Sequence, residues 1–203
     1  MLRKARIAVL VSGGGTNLEA LLKAQEAGEI PHGEIVLVAA NVSDAYALTR
    51  AANHGVPGVA VAPGNDSHAV DEAALVALLD EYQVDLVILG GFLAILSLDF
   101  VNRYKDRIIN VHPSLIPSFC GKGMYGLLVH EAALAKGVKL TGATVHLVNE
   151  IPDDGQILLQ KAVEVLPGDT PAVLQRRVME QAEWVLLPQA AELMSARIVN
   201  DME

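Results

Sequence analysis

Five stretches of nearly unbroken aliphatic residues constrain this chain more than any other feature: RIAVLV (6–11), EIVLVAAN (34–41), GVAVA (58–62), VDLVILGGF (84–92) and RIINVH (107–112). A strand with one wet face alternates apolar and polar residues. A continuous aliphatic run needs cover on both faces, which is the condition of a parallel sheet held between helices. The intervening segments supply those helices. Residues 16–27 carry Leu18, Leu21 and Leu22 at helical spacing and stop at Gly28, and residues 45–54 form a second helix closed by Gly55. Ser67 has the chemistry of an N-cap for a third helix running to Tyr82, with Asp71 and Glu72 in its early turns. The fold class expected is α/β, an open, mostly parallel twisted sheet with helices on both faces.

After residue 112 the rhythm changes. A Pro/Gly-rich loop covers 113–124 and a helix follows from about 125 to 135. Two strands, 140–148 and 156–165, then flank the loop NEIPDDG (149–155) as a hairpin-like extension. Thr170 and Pro171 make an N-cap with proline in the first helical position. They open a long terminal helix that Pro188 should kink or briefly break. With no repeat or linker, 203 residues are sized for a single domain over 1–203.

Composition removes several classes of function. A net charge of −9 without a Lys/Arg cluster argues against nucleic acid as a partner. Cys120 is the only cysteine, which rules out a disulfide or a cysteine-based zinc site within one chain. His112, His130 and His146 lie on separate elements, so no ligand spacing for a catalytic metal is present. The apolar run after MLRK reads as a first buried strand rather than a signal peptide. No segment approaches the roughly 20 apolar residues of a membrane span, and a reducing, cytoplasmic setting is expected.

Two loops carry the chemistry. VSGGGTN (11–17) leaves a strand and enters a helix, where backbone N–H groups and the helix N-terminus can hold an anion, or simply turn the chain tightly. The dinucleotide fingerprint fails because Leu18 takes its last glycine position and Asn41 stands where its acidic residue belongs. No Walker lysine follows, so one phosphate on a small substrate fits better than NAD or ATP. Asn110 and His112, two apart on a strand, share a face at the carboxyl end of the sheet, where α/β ligands bind. They offer a neutral hydrogen-bond donor and a proton carrier, although a histidine at a strand end can equally be structural. In NEIPDDG the adjacent Asp153 and Asp154 are either a solvated turn or the source of a carboxylate that orients His112 and favours its cation.

SGGGTNLEALL, GGFLAIL, NVHPSLIPSF, TGATVHLVNEIPDDGQILLQ and GDTPAVLQRRVMEQAEWVLLP occur in this order over nearly the whole chain. Together they resemble the phosphoribosylglycinamide formyltransferase family. The resemblance implies a Rossmann-like formyltransferase fold and transfer of a formyl group from 10-formyltetrahydrofolate to the amine of N1-(5-phosphoribosyl)glycinamide, in purine biosynthesis. It implies Asn110, His112 and Asp153 as catalytic residues, with Asp154 at a variable small-residue position. The phosphate would lie on Gly15, Thr16 and Asn17, and Glu183 would contact the ribonucleotide. The folate pocket would comprise Phe92, Leu93, Ala94, Ile95 and Leu96, with Asn110 and the loop residues Asn149, Glu150, Ile151, Pro152 and Asp153. The phosphate half would fall at about 1–105 and the folate and catalytic half at about 106–203. Pro117, after Ile116, would be cis. Only small-molecule partners are implied, with no metal and no membrane, in a monomer or homodimer.

Some positions depart from the pattern. His68, counted with the cofactor contacts, stands where relatives place an arginine, and Lys122 is the basic candidate near the substrate loop. Ala94 replaces an arginine of the folate-contacting run. His130 and His146 read as structural, and Cys120 as a passive exposed thiol. Three competing readings fit less well. A methionyl-tRNA formyltransferase would need a further C-terminal domain and a basic surface. A formyltetrahydrofolate hydrolase would carry an N-terminal regulatory domain ahead of a strand that here begins at Arg6. A non-catalytic phosphate-binding module would leave Asn110, His112 and Asp153 without a purpose.

Overall fold

The computed structural model describes residues 3–61 and 68–201. Seven strands form one sheet in the order β3-β2-β1-β4-β5-β6-β7. Strands β1 (Ala5–Val11), β2 (Gly33–Ala40), β3 (Gly58–Ala60), β4 (Leu86–Leu89) and β5 (Ile108–His112) run parallel. The hairpin β6 (Leu140–Leu147) and β7 (Ile157–Glu164) joins antiparallel at the β5 edge. The expected open α/β sheet is therefore present, and the hairpin-like extension lies beside β5.

Alternation along the buried strands feeds two separate cores. Ile7, Val9 and Val11 of β1 pack on one face with α1 (Thr16–Glu26), α2 (Tyr46–Asn53) and the C-terminal helix. Ala8 and Leu10 point to the other face, against α3 (Glu72–Glu81) and α4 (Leu98–Arg103). Continuous hydrophobicity in the sequence is thus two interleaved period-2 patterns, each with its own helical layer. The order of the strands reverses between β1 and β4, which places the loops after those two strands side by side at the carboxyl edge.

The structure corrects two of the sequence expectations and adds one helix that the sequence reading did not contain. Ser67 lies outside the described residues, as does Ala62 at the end of the third expected strand; the helix begins at Glu72, and Asp71 caps it by accepting from Ala74 N at 3.0 Å. Helix α4, only six residues long, is too short to show a helical period in sequence; Ser97 caps it by accepting from Phe100 N at 3.2 Å. The interruption of the terminal helix lies not at Pro188 but at Met179–Glu183, a π-helical turn between α6 (Pro171–Val178) and α7 (Trp184–Asn200). Pro188 is buried inside α7, and its ring crowds the carbonyl four residues back, at Trp184, where the widened turn ends.

Candidate active site

Asn110 and His112 stand at the carboxyl end of β5, opposite His146 and Thr144 of β6 in the antiparallel register. His112 is buried, its Nε2 2.8 Å from the Phe119 carbonyl and its Nδ1 3.5 Å from Asp153 Oδ2. Each ring nitrogen faces an oxygen acceptor. Asp153 adopts the left-handed backbone region at φ 60°, turning its carboxylate inward, whereas Asp154 is exposed. Its Oδ2 accepts the Gly121 N–H at 2.8 Å, and its Oδ1 lies 3.6 Å from His146 Nε2. Burial pushes the Asp153 carboxyl up, but the His146 contact, the His112 charge and the Gly121 N–H together hold it below the usual carboxylate value. Asp153 is therefore a carboxylate fixed between two imidazoles.

His146 is the packed, hydrogen-bonded histidine that the sequence suggested, and it also borders Asn110 and Asp153. It is packed at 1% exposure, with Nδ1 2.8 Å from the Leu147 carbonyl, yet its Nε2 also lies 3.2 Å from Asn110 Nδ2. The signal that places it there is the β5–β6 register, which no local sequence pattern reports. With Nδ1–H donated to Leu147, Nε2 of the neutral ring accepts from Asn110, and only a ring that also carries a hydrogen on Nε2 donates to Asp153 instead. The contact with the neutral ring takes one amide hydrogen of Asn110 and leaves the other for a ligand.

Two cavities meet at this constellation. One, of about 150 Å³, is lined by Phe92, Ala94, Ile95, Leu96, Asn110, His146, Asn149, Glu150, Ile151, Pro152 and Asp153. The other, of about 270 Å³, is lined by Thr16, Asn17, Phe92, Leu93, Asn110, His112, Asp153 and Glu183, with Met124, Gln175 and Met179. Phe92, Asn110 and Asp153 are common to both walls. Leu93, expected in the folate pocket, instead faces the second cavity, and its N–H is held by Ser12 Oγ at 2.8 Å. His68 lines neither cavity; it makes an edge contact with Tyr125 at 6.0 Å. Lys122 is exposed and lines neither cavity.

Gly15 is the N-cap of α1 with φ 70°, and a side-chain Cβ there would come within 2.6 Å of Ala47 Cβ. Only glycine satisfies both the backbone angle and the space. Thr16 opens the helix beside the second cavity. The Asn17 side chain does not turn toward the loop: its Nδ2 donates to Glu183 Oε2 at 2.9 Å, and its Oδ1 is a buried acceptor with no protein partner among the described residues. Glu183 comes from the π-helical turn and is buried; burial raises its carboxyl to about 7, with the Asn17 bond acting in the opposite direction. Sequence reasoning supplied Glu183 by resemblance alone. Gln175 and Met179 were missed because helical spacing does not say which flank of α6 and of the π-helical turn meets the cavity.

Ile116–Pro117 is cis, as the resemblance implies. Cys120 is half-buried, its Sγ 3.3 Å from the Pro117 carbonyl, and burial together with the charges of Asp153 and Asp154 raises its thiol. It is held as an unreactive thiol. His130 is fully buried on α5 (Leu127–Lys136), with neither ring nitrogen partnered among the described residues. Burial, then the charge of His112, pushes its pKa down to about 4. The unfolded chain binds this proton near 6.5 and the folded one only near 4, so His130 makes stability fall as pH drops through that window. His130→Leu is expected to remove a loss of about 3 kcal/mol between pH 6.5 and 4, read from denaturant unfolding at both pH values. An unchanged pH difference would show that His130 finds a proton-accepting partner on acidification.

The chain belongs to the formyl transferase family, whose model matches residues 5–190. Within that family it is similar to the phosphoribosylglycinamide formyltransferase of Haemophilus influenzae, 37% identical over 90% of this chain and 84% of that one. The chloroplastic phosphoribosylglycinamide formyltransferase of Arabidopsis thaliana is 39% identical over 88% of this chain, which spans only 62% of that relative's length. The solved glycinamide ribonucleotide transformylase 1 of Symbiobacterium toebii superposes with a TM-score of 0.86 at 39% identity, covering 95% of this chain and 88% of that one.

Proposed function

We propose that this protein transfers a formyl group from 10-formyltetrahydrofolate to the primary amine of N1-(5-phosphoribosyl)glycinamide, a step of purine biosynthesis. The observation that carries this reading is the shared wall: two cavities have Phe92, Asn110 and Asp153 in common, and His112 lines the second. A transfer between two small molecules needs that topology, because donor and acceptor must meet at one atom. A volume of about 150 Å³ takes a flat ring and not a whole folate, so the rest of the donor would lie outward over Ile95 and Ile151, both largely exposed. The second cavity reaches from Thr16 and Asn17 to His112 without including Gly15, so a phosphate on the backbone N–H groups of the glycine turn would lie just beyond its Thr16 end.

The chemistry follows from these positions. The amine attacks the formyl carbon and the carbonyl oxygen becomes an oxyanion. The free N–H of Asn110 donates to it, and His112 donates in turn once the oxygen replaces the Phe119 carbonyl at Nε2. A well-placed donor of this kind contributes about 3–4 kcal/mol of transition-state stabilisation. Asp153 holds the His112 ring and stabilises its cation, so that the proton lost by the attacking nitrogen can be carried to the leaving folate nitrogen. No step calls for a metal ion, and none of the described residues form a cluster of metal-binding type.

The test is an assay of purified protein with 10-formyltetrahydrofolate and the ribonucleotide, with water and tRNA offered as rival acceptors. Formylated glycinamide ribonucleotide is the expected product, far in excess of free formate and formyl-tRNA. Release of tetrahydrofolate with formate alone would instead support the hydrolase reading. The acceptors proposed are small molecules, and a cytoplasmic setting follows from the same reading; no described helix is long and apolar enough to cross a membrane.

A further inference from the structure

The glycine loop does not hold its own shape. A loop that offers its N–H groups to an anion must turn its carbonyl oxygens the other way, and those oxygens then need donors. Helix α2 supplies them. Ala47 N–H donates to the Gly13 carbonyl at 3.1 Å, and Arg50 Nε donates to the Gly14 carbonyl at 2.8 Å. Arg50 is itself fixed from two further sides. Its Nη1 bonds Glu19 Oε2 at 2.9 Å, on the first turns of α1, and its guanidinium lies over the Tyr46 ring at 5.1 Å. Gly13 and Gly14 are open on the other side, where an added Cβ would meet nothing within 4 Å. The loop is thus backed by α2 and bare in front.

We propose that Arg50 is a positioning residue for the phosphate of the ribonucleotide: it aims the Gly13–Gly15 amides by tying the Gly14 carbonyl to α2 and, through Glu19, to the helix that the loop opens. This rests on the glycine loop being the phosphate site. The planar fork of arginine can bond a carbonyl and a carboxylate at once, whereas a lysine amine can replace one of the two contacts but not hold both in plane.

Arg50→Met and Arg50→Lys are to be compared with the unchanged protein using the ribonucleotide, its dephosphorylated nucleoside, and inorganic phosphate titrated by calorimetry. Arg50→Met is expected to raise KM for the ribonucleotide and the Kd of inorganic phosphate about tenfold each. It should leave kcat at saturation, KM for the folate and KM for the nucleoside within about twofold, and Arg50→Lys should recover part of the loss. Unchanged phosphate affinity in Arg50→Met overturns the inference. So does an equal loss on ribonucleotide and nucleoside, which would make Arg50 a general structural residue. If Arg50→Met does not fold, the phosphate Kd of Arg50→Lys decides: an unshifted value overturns the inference. Should the unchanged protein make no formylated product, the proposed reaction fails, while the phosphate titrations still decide the role of Arg50.

Discussion

Asp153→Asn and His112→Ala are each expected to lower kcat by two or more powers of ten, about 3 kcal/mol or more of transition-state stabilisation, with the fold intact. Asparagine tolerates the left-handed backbone of Asp153 at φ 60° better than any residue but glycine, so the loop should keep its path. What is lost is the negative charge between His112 and His146, and with it the support for a cationic His112 when the oxyanion forms. The Asp153 carboxyl is held below its usual value, so the charge is present throughout the pH range of an ordinary assay and the deficit should not be recovered at alkaline pH. Asp154→Asn is the control. It removes the same charge one residue away, from an exposed side chain outside both cavities, and should change kcat by less than about twofold. Equal behaviour of Asp153→Asn and Asp154→Asn would show that the loop is only a solvated turn. The double variant His112→Ala with Asp153→Asn should be barely slower than either single one, since the two residues act as a unit.

The parts of this fold legible in the sequence are those set by local rules. Aliphatic runs announced β1, β2, β4 and β5, and Thr170 with Pro171 marked the start of α6, where Thr170 Oγ1 accepts from Val173 N at 3.3 Å. The candidate site was only half legible. Asn110 and His112 share a strand and could be paired by period alone, whereas Asp153 was joined to them by an argument about loops and by family resemblance. His146 escaped because its place depends on register: it faces Asn110 across β5 and β6, a relation between residues 36 positions apart. Arg50 escaped for a similar reason. Its partners, Gly14 and Glu19, come from the preceding βα unit, so nothing near it in sequence marks it. Ser12 and Asn41 form a buried pair, with Ser12 Oγ 2.6 Å from Asn41 Oδ1, that again joins two strand ends. Local chemistry writes elements; contacts between elements write the site.

Glu183→Gln should make the ligand-free protein more stable and a poorer binder of its substrate. The glutamate is delivered by the π-helical turn into a buried position, where it accepts from the Asn17 amide at 2.9 Å, and its carboxyl is raised to about 7. Between pH 4.5 and 7 the folded state therefore holds a proton that the unfolded chain releases, so this group lowers stability as pH rises through that window and costs most above it. Glutamine, neutral at every pH, removes that cost: a gain of up to about 3 kcal/mol at pH 8 that closes toward pH 4.5. His130 works in the opposite direction over an overlapping window, so the unchanged protein can show a nearly flat profile and only the single variants separate the two. The buried carboxylate makes sense if the ligand brings a positive charge. A primary amine arriving as ammonium would pair with Glu183 and offset the desolvation that the empty site bears, and Asn17 Oδ1 is a further acceptor for its N–H groups. On that argument Glu183→Gln should raise KM for the ribonucleotide at least about tenfold and leave KM for the folate within about twofold. Denaturant unfolding at pH 5 and pH 8, read beside the two KM values, checks both halves. A stability gain equal at the two pH values, or an unchanged ribonucleotide KM, would place the ammonium elsewhere and leave Glu183 as a structural carboxyl of the π-helical turn.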